Sequence, residues 1–142
     1  MRRRALLALL LGLPACSQPI SGVLTLAPAG MKYSDGCTAN HDGTLEMPNG
    51  ARAVQLAYME GGAATLTATV RLVATDRPAT ADLYVEGDRV GHLDVTSKDD
   101  KSSAFQLVIA HSGPHAIRLE VHREDQEPGP LVHFEKLVLT QP

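Results

Sequence analysis

Apolar and polar residues alternate most regularly over residues 65–73. The apolar set occupies every second position: Leu66, Ala68, Val70 and Leu72. Three threonines and an arginine fill the positions between them. Successive side chains of a β-strand point to opposite faces of a sheet, so this period of two predicts a strand with one face in a core and the other towards water.

A second region of alternation, residues 81–96, predicts a β-hairpin. The Gly-Asp pair at residues 87–88 predicts a two-residue type II′ turn, because Gly at the first turn position adopts positive φ at no steric cost. A plain two-residue turn would place Leu83 opposite a histidine. A β-bulge at residues 91–92 would instead pair Leu83 with Leu93. Since a slip of one residue moves every side chain to the other face, the pattern favours the bulge.

Shorter extended segments with turn residues between them account for most of the remaining chain. They are residues 23–26, 44–47, 54–56, 105–109, 117–122 and 131–139. Phe134, Leu137 and Leu139 are the expected inward residues of the last segment. No segment has a convincing helical period, and turn signals recur at intervals of about 8–12 residues, which is typical of sandwiches. The chain is therefore predicted to form an all-β, antiparallel β-sandwich of about eight strands over residues 23–142.

The beginning of the chain has a different pattern from the predicted sandwich. Arginines at residues 2–4 precede an apolar run over residues 5–13, which is typical of a secretory signal peptide. The run is too short to cross a bilayer as a helix, which takes about 20 residues. Residues 13–16, Leu-Pro-Ala-Cys, follow directly and resemble the lipobox of bacterial lipoproteins.

This resemblance implies a signal peptide over residues 1–15, acylation of Cys16 and a tether over residues 16–22. Two or more acyl chains on one residue give stable membrane anchoring. The residue after the cysteine is Ser17 rather than Asp, which implies sorting to the outer membrane in an envelope with two membranes. The alternative is ordinary secretion without lipid, in which case Cys16 and Cys37 could form a disulfide.

Net charge limits the partners that the exported chain would bind. Removing residues 1–15 takes away three of the 13 basic residues and none of the 16 acidic ones, which leaves a formal charge of −6. A surface this acidic argues against nucleic acid and against broad attraction to anionic lipid. It suits neutral or cationic ligands, or divalent cations, and leaves the lipid anchor as the membrane contact.

Several motifs of the second half of the chain occur in the order seen in a known group of domains. They are the strand at residues 65–73, LYVEG followed by VG within residues 83–91, and GPHAIRL at residues 113–119. The last strand, at residues 132–139, completes the series. In this order they resemble the galactose-binding-like jelly roll of many carbohydrate-binding modules, in particular the calcium-dependent, xylan-binding type. The resemblance implies a jelly-roll topology and a glycan ligand.

In such modules, ligand and calcium sites lie in loops at one end of the sandwich. Two charged loops, at residues 97–103 and 123–130, occupy comparable places here. Their acidic residues are the candidate ligand or calcium residues: Asp99, Asp100, Glu124 and Asp125. Calcium requires several oxygen ligands, which carboxylates supply. The alternative is that these loops carry only solvated charge. The chain has no Trp to stack on a sugar ring.

A long loop at residues 27–43, rich in Gly, Asn, Asp and Pro, holds a second candidate site. Cys37 and His41 lie four residues apart within it, beside Asp42, and provide an alternative metal site. Their spacing matches no zinc signature, and ordinary loop polarity explains the same residues. If Cys16 carries lipid, Cys37 is left as a buried or inert thiol or, alternatively, as a reactive thiol or an intermolecular bridge.

Catalytic signatures are missing from the sequence. We find no Gly-x-Ser-x-Gly elbow, no phosphate-binding glycine loop and no carboxylate pair arranged for glycoside hydrolysis. The chain is therefore predicted not to be an enzyme. The favoured hypothesis is a lipid-anchored envelope protein that binds a glycan or similar polar ligand through end loops, with calcium as the only candidate cofactor. The alternative is a structural lipoprotein that docks another envelope protein and binds no sugar.

Overall fold

Two antiparallel β-sheets pack face to face in the computed structural model, which describes residues 22–73, 78–124 and 129–142. The strands are β1 (Gly22–Leu26), β2 (Lys32–Tyr33), β3 (Thr38–Ala39), β4 (Leu45–Pro48), β5 (Arg52–Met59), β6 (Gly62–Leu72), β7 (Ala79–Val85), β8 (Asp88–Val95), β9 (Lys101–Ile109), β10 (Gly113–His122) and β11 (Pro130–Gln141). One turn of 3-10 helix, Pro28–Gly30, follows β1. In the part of the chain that the structure describes, no helix is long and apolar enough to cross a membrane.

Each sheet has its own strand order. Sheet I runs β9-β6-β11-β4-β3, and β1 pairs with the second half of β11. Sheet II runs β2-β5-β10-β7-β8. The prediction of an all-β antiparallel sandwich is confirmed. The short strands β2 and β3 lie within residues 27–43, which the sequence predicted as loop, and they extend the edges of the two sheets.

The core lies between the sheets and contains the residues that alternation placed there. Leu66, Ala68, Val70 and Leu72 of β6 expose at most 2% of their surface. In β11, Phe134, Leu137 and Leu139 are buried as predicted. Phe134 and Leu137 are three residues apart, whereas Leu137 and Leu139 are two apart. The difference arises because the register shifts between Phe134 and Lys136, where Glu135 forms a bulge. The bulge keeps both halves of this long strand facing the core.

The hairpin of β7 and β8 differs from the prediction in its turn. Val85 pairs with Asp88, so the turn residues are Glu86 and Gly87 rather than the predicted pair at 87–88. Both residues have positive φ, 52° for Glu86 and 86° for Gly87. Positive φ at both positions is the mark of a type I′ turn, so the predicted type II′ turn is wrong.

The predicted bulge is also displaced by one residue. Tyr84 pairs with Arg89 and Leu83 pairs with Gly91, which leaves Val90 as the extra residue. Leu93 consequently lies opposite Ala81 rather than Leu83. The observed register differs from the predicted one by two residues, and a shift of two keeps every side chain on its predicted face.

The antiparallel strands give the sandwich two distinct ends. One end, which we call the entry end, contains the beginning of β1, the β5–β6 and β9–β10 turns and the end of β11. At the opposite end, which we call the loop end, β6 and β8 finish and β7 and β11 begin. The segment at residues 96–100 connects the two sheets at the loop end, because it follows β8 of sheet II and precedes β9 of sheet I.

Candidate functional site: a polar cleft at the loop end

A cleft of about 1030 Å³ opens at the loop end of the sandwich. Its lining comes from the beginning of β7, the end of β8 and the end of β10 with the residues that follow. The lining residues are Pro78, Ala79, Thr80, Asp94, Thr96, His122, Arg123 and Glu124. None of these eight is Phe, Tyr or Trp, so a ligand here would be held mainly by hydrogen bonds and charge rather than by stacking on a large aromatic ring.

Strand register explains how three polar side chains come together in the cleft. Thr80 in the middle strand pairs with Asp94 on one side and with His122 on the other. Alternation turns all three away from the core, since the neighbouring residues of each strand are buried. Adjacent strands lie about 4.8 Å apart. The row therefore places a carboxylate, a hydroxyl and an imidazole side by side over about 10 Å.

The row offers hydrogen-bonding groups of both kinds. The Thr80 hydroxyl donates to the main-chain oxygen of His122 at 3.4 Å and keeps its lone pairs as acceptors. Nε2 of His122 lies 3.5 Å from Oε1 of Glu120. Donors and acceptors spaced this way match the hydroxyl groups of a polar ligand better than they match an apolar one.

A charged network on the outer face of sheet II adjoins the cleft through Asp94. Nε2 of His92 lies 3.3 Å from Asp94, and Nδ1 lies 2.7 Å from Oδ1 of Asp82. Arg89 approaches the same Asp82 oxygen at 3.4 Å. The hydrogen bond to Asp82 is the main cause of the raised pKa of His92; burial opposes it, and the charges of Asp82 and Asp94 raise the pKa further. When His92 is protonated, it forms an ion pair with Asp94 at the edge of the cleft.

The four predicted loop residues are distributed unevenly. Glu124 lines the cleft. Asp100 forms an ion pair with Arg71 of sheet I at 3.7 Å, and Ser97 caps the main-chain N–H of Asp99 at 3.0 Å. Asp125 lies outside the described residues. The predicted loop at residues 97–103 is shorter than expected, because β9 begins at Lys101.

The described residues contain no cluster of side chains that is typical of a metal site. Across residues 22–73, 78–124 and 129–142, no group of three or more His, Cys, Asp or Glu side chains is arranged to hold a metal ion. Asp100 pairs with Arg71. Of the three predicted residues that the structure describes, Glu124 lines the cleft. Calcium binding stays a prediction.

The alternative metal residues lie in the segment before β4. Cys37 is half-buried against the core, and burial raises the pKa of its thiol although a hydrogen bond with Ser34 acts the other way. A raised pKa disfavours the thiolate that metals bind. Asp42 is occupied by Thr44, whose hydroxyl and main-chain N–H donate to it at 2.6 and 3.1 Å. The Cys37 and His41 assignment remains a prediction.

Sequence reasoning missed the row across β8, β7 and β10. It indicated the neighbouring loops, which lie at the correct end, but assigned no ligand contact to Thr80, Asp94 or His122. Each of the three is an outward-facing polar residue within two residues of a strand end beside a predicted loop. That combination is the signal that could have found them.

No family model matches this chain, and no curated protein sequence matches it. Solved structures with the same architecture do match. The CBM36-1 domain of a multidomain xylanase from the hindgut metagenome of Trinervitermes trinervoides superposes with a TM-score of 0.68 at 14% identity, over 84% of this chain and 98% of that one. A family 35 carbohydrate-binding module from Clostridium thermocellum gives 0.65 at 13% identity, over 86% and 100%.

A third similar structure, the carbohydrate-binding module CBM36 in complex with calcium and xylotriose, gives a TM-score of 0.60 at 14% identity. It covers 81% of this chain and 97% of its own. Identities this low establish a shared fold and nothing finer. The chain has the jelly-roll fold of carbohydrate-binding modules, as the sequence predicted. That fold occurs in these examples as a domain of an enzyme and with a bound sugar.

Proposed function

We propose that this domain is a non-catalytic carbohydrate-binding domain that holds a glycan in the cleft at the loop end. The row formed by Asp94, Thr80 and His122 carries the proposal, because it supplies adjacent hydrogen-bonding groups on rigid strands. The similarity in fold to several carbohydrate-binding modules supports it. A site built on strands is positioned more accurately than one built on loops alone.

The charges of the cleft favour neutral glycans over acidic ones. Asp94 and Glu124 contribute carboxylates to the lining, and His122 and Arg123 contribute basic groups. The chain as a whole is acidic, so long-range repulsion would oppose a polyanion such as a uronic-acid polymer. A neutral polysaccharide meets no such barrier and bonds through its hydroxyls.

We also propose that the protein is exported and held to the cell envelope by lipid on Cys16, in the outer membrane where there are two. The lipobox-like residues 13–16 support this. Replacement of Cys16 by Ser should release the protein from the membrane fraction, and the mass of the wild-type N-terminal peptide should include acyl chains. An unmodified Cys16 in the wild-type protein would contradict the anchor without touching the glycan proposal.

Affinity electrophoresis through gels that contain polysaccharides tests the glycan proposal. A panel of neutral and acidic polysaccharides would be used with the wild type and His122→Ala, and with Thr67→Val on the outer face of sheet I as the matched control. Losing a hydrogen bond to a ligand costs about 1 kcal/mol or more. We therefore expect His122→Ala to weaken binding about fivefold to tenfold, and the control to bind as the wild type does.

Equal binding by His122→Ala, Thr67→Val and the wild type would contradict the cleft as the site. If no polysaccharide retards the protein and an envelope protein co-purifies with it, the alternative is favoured, in which the domain docks an envelope protein and binds no sugar. Calcium is tested separately by thermal unfolding, because an ion that binds only the folded state raises the unfolding temperature. A shift of several degrees with calcium would support the predicted ion in the loops, and no shift would contradict that prediction.

A further inference from the structure

Exposed apolar side chains are concentrated at the entry end of the sandwich. The described residues expose five large hydrophobic side chains, and four of them belong to this group: Val23 (69% exposed), Leu56 (64%), Tyr58 (46%) and Val108 (81%). Each lies within three residues of the end of its strand at the entry end. The fifth, Tyr33, pairs with Ala53 near the other end of β5.

The described chain also enters the domain at this end. Gly22 pairs with Gln141. The Gln141 side chain accepts from the main-chain N–H of Glu60 at 3.0 Å and donates to the Glu60 carbonyl at 2.9 Å. The next residue, Gly61, donates its N–H to the Ser112 hydroxyl at 2.8 Å. The beginning of β1 is thereby fixed beside the β5–β6 and β9–β10 turns.

The distance from Cys16 to Gly22 limits how the domain can stand on a membrane. Six peptide units separate the two residues, and six extended residues span at most about 20 Å. The 11 residues of β6 run from the entry end to the loop end, a length of about 36 Å. If the loop end lay against the bilayer, Gly22 would stand a full strand length, about 36 Å, above the lipid. A tether of at most about 20 Å from a lipidated Cys16 could not span that distance.

The exposed apolar residues lie on both outer faces of the sandwich. Leu56 and Tyr58 alternate with buried residues of β5 and face outwards from sheet II, and Val23 and Val108 face outwards from sheet I. A surface that lies against one sheet could contact only two of the four, whereas all four lie close to a surface at the entry end. The Tyr58 hydroxyl bonds to Glu60, which raises the pKa of Tyr58 and keeps the phenol neutral. Tyrosines with an apolar ring and a bonded hydroxyl are common at membrane interfaces.

The charges at this end specify the kind of lipid. Three carboxylates, those of Glu60, Glu86 and Asp88, lie in or beside the turns there with one guanidinium, that of Arg89, so the acidic groups are in excess. An anionic lipid surface would repel these carboxylates, whereas a zwitterionic surface would not.

We propose that the entry end, defined by Val23, Leu56, Tyr58 and Val108, rests on a zwitterionic lipid surface, so that the cleft faces away from the membrane. The inference rests on the lipid anchor proposed at Cys16. The anchor holds the domain near the bilayer, and the four apolar side chains set its orientation. The ligand would then approach the cleft from the side opposite to the membrane.

Tryptophan fluorescence tests the orientation, because the natural chain contains no Trp. Leu56→Trp and Val108→Trp place a probe at the entry end. Arg52→Trp is the matched control, since Arg52 lies on the same strand and the same outer face as Leu56 but at the other end. The chain from Cys16 onward, with Cys37→Ser, would be coupled through Cys16 to a maleimide lipid in phosphatidylcholine vesicles with brominated acyl chains.

We expect brominated lipid to quench Leu56→Trp and Val108→Trp at least twofold more than Arg52→Trp, and this difference to shrink when part of the phosphatidylcholine is replaced by anionic phosphatidylglycerol. Equal quenching of the three variants, or stronger quenching of Arg52→Trp, would overturn the proposed orientation. The chemical coupling attaches the chain whether or not cells acylate Cys16. The quenching experiment therefore tests the orientation alone. Acylation of Cys16 in cells is tested separately by the mass of the N-terminal peptide.

Discussion

Gly91 is needed for space rather than for backbone freedom. It is buried in β8, and its φ lies outside the left-handed region. A Cβ at this position would lie 2.6, 2.7 and 2.8 Å from three ring atoms of Phe105, which comes from β9 of the other sheet. Carbon atoms at ordinary contact are separated by about 3.5–4.0 Å. The ring of Phe105 therefore occupies the volume that any larger residue at position 91 would need.

Gly91→Ala should lower the free energy of unfolding by about 1–3 kcal/mol, the usual cost of overpacking a core. The control is Gly30→Ala, because a Cβ there meets no atom within 4 Å and φ is not positive. Denaturant unfolding measures both. Adding Phe105→Leu to Gly91→Ala should recover part of the loss, since the smaller side chain vacates the contact. If the two glycine variants are equally stable, the packing account is incorrect.

His92 should make stability depend on pH. Its folded-state pKa is raised, chiefly by the hydrogen bond to Asp82, above the value of about 6.5 expected in the unfolded chain. The stabilisation is then fully present below about pH 6.5 and is lost as pH rises through the folded-state pKa. His92→Gln should cost more stability at pH 5.5 than at pH 8.5. The difference should stay below about 1 kcal/mol, because the imidazole is half exposed and water screens the pair.

Unfolding free energies at several pH values test this, with the exposed His111→Gln as the control for replacing any histidine. If the stability lost in His92→Gln, measured as free energy of unfolding, is constant with pH or grows as pH rises, the imidazolium does not pair with Asp82.

At the scale of elements, the turn between β7 and β8 is set by a neighbouring strand. Glu86 holds a positive φ of 52°, which is unusual for a residue with a side chain. Its N–H donates to the Ala116 carbonyl at 2.9 Å, and its carboxylate accepts from the Ala116 N–H at 2.6 Å. These bonds to β10 offset the strain at Glu86 and fix the turn one residue earlier than the local sequence indicates.

Glu86→Ala should therefore destabilise the protein by about 1 kcal/mol, since it removes a charge-assisted bond at an exposed site and keeps a side chain in the strained conformation. Glu86→Gln retains an acceptor oxygen and should lose less. Chemical denaturation compares the two variants. Equal stability of Glu86→Ala and the wild type would mean that the bond to Ala116 contributes nothing.

Alternation predicted the strands well where only one face of the strand is apolar, as in β6. In β5 both faces of the strand carry apolar residues. The sandwich buries Ala53, Ala57 and Met59 and leaves Leu56 and Tyr58 exposed. Sequence periodicity cannot choose between two apolar faces. The turn position in the hairpin was missed for a related reason, because Ala116 decides it from a strand that is distant in sequence.

At the scale of the whole molecule, the sandwich separates two surfaces by the length of its strands. The polar cleft occupies the loop end, and four exposed apolar side chains occupy the entry end. The sequence indicated the loop end, since it marked the loops at residues 97–103 and 123–130. It could not assemble Asp94, Thr80 and His122, because their proximity comes from lateral strand register, and register depends on the bulge at Val90.

A glycan held in the proposed cleft would change the surroundings of residues at the loop end of the sandwich. Amide chemical shifts, followed by NMR during titration with a neutral oligosaccharide from the polysaccharide that retards the protein best, test it residue by residue. We predict that shifts will be confined to the ends of β8 and β10, the beginning of β7 and the adjoining loop residues, with Thr80, Asp94 and His122 among the largest. Shifts centred on an outer sheet face or at the entry end, or no shifts with any sugar, would contradict the account.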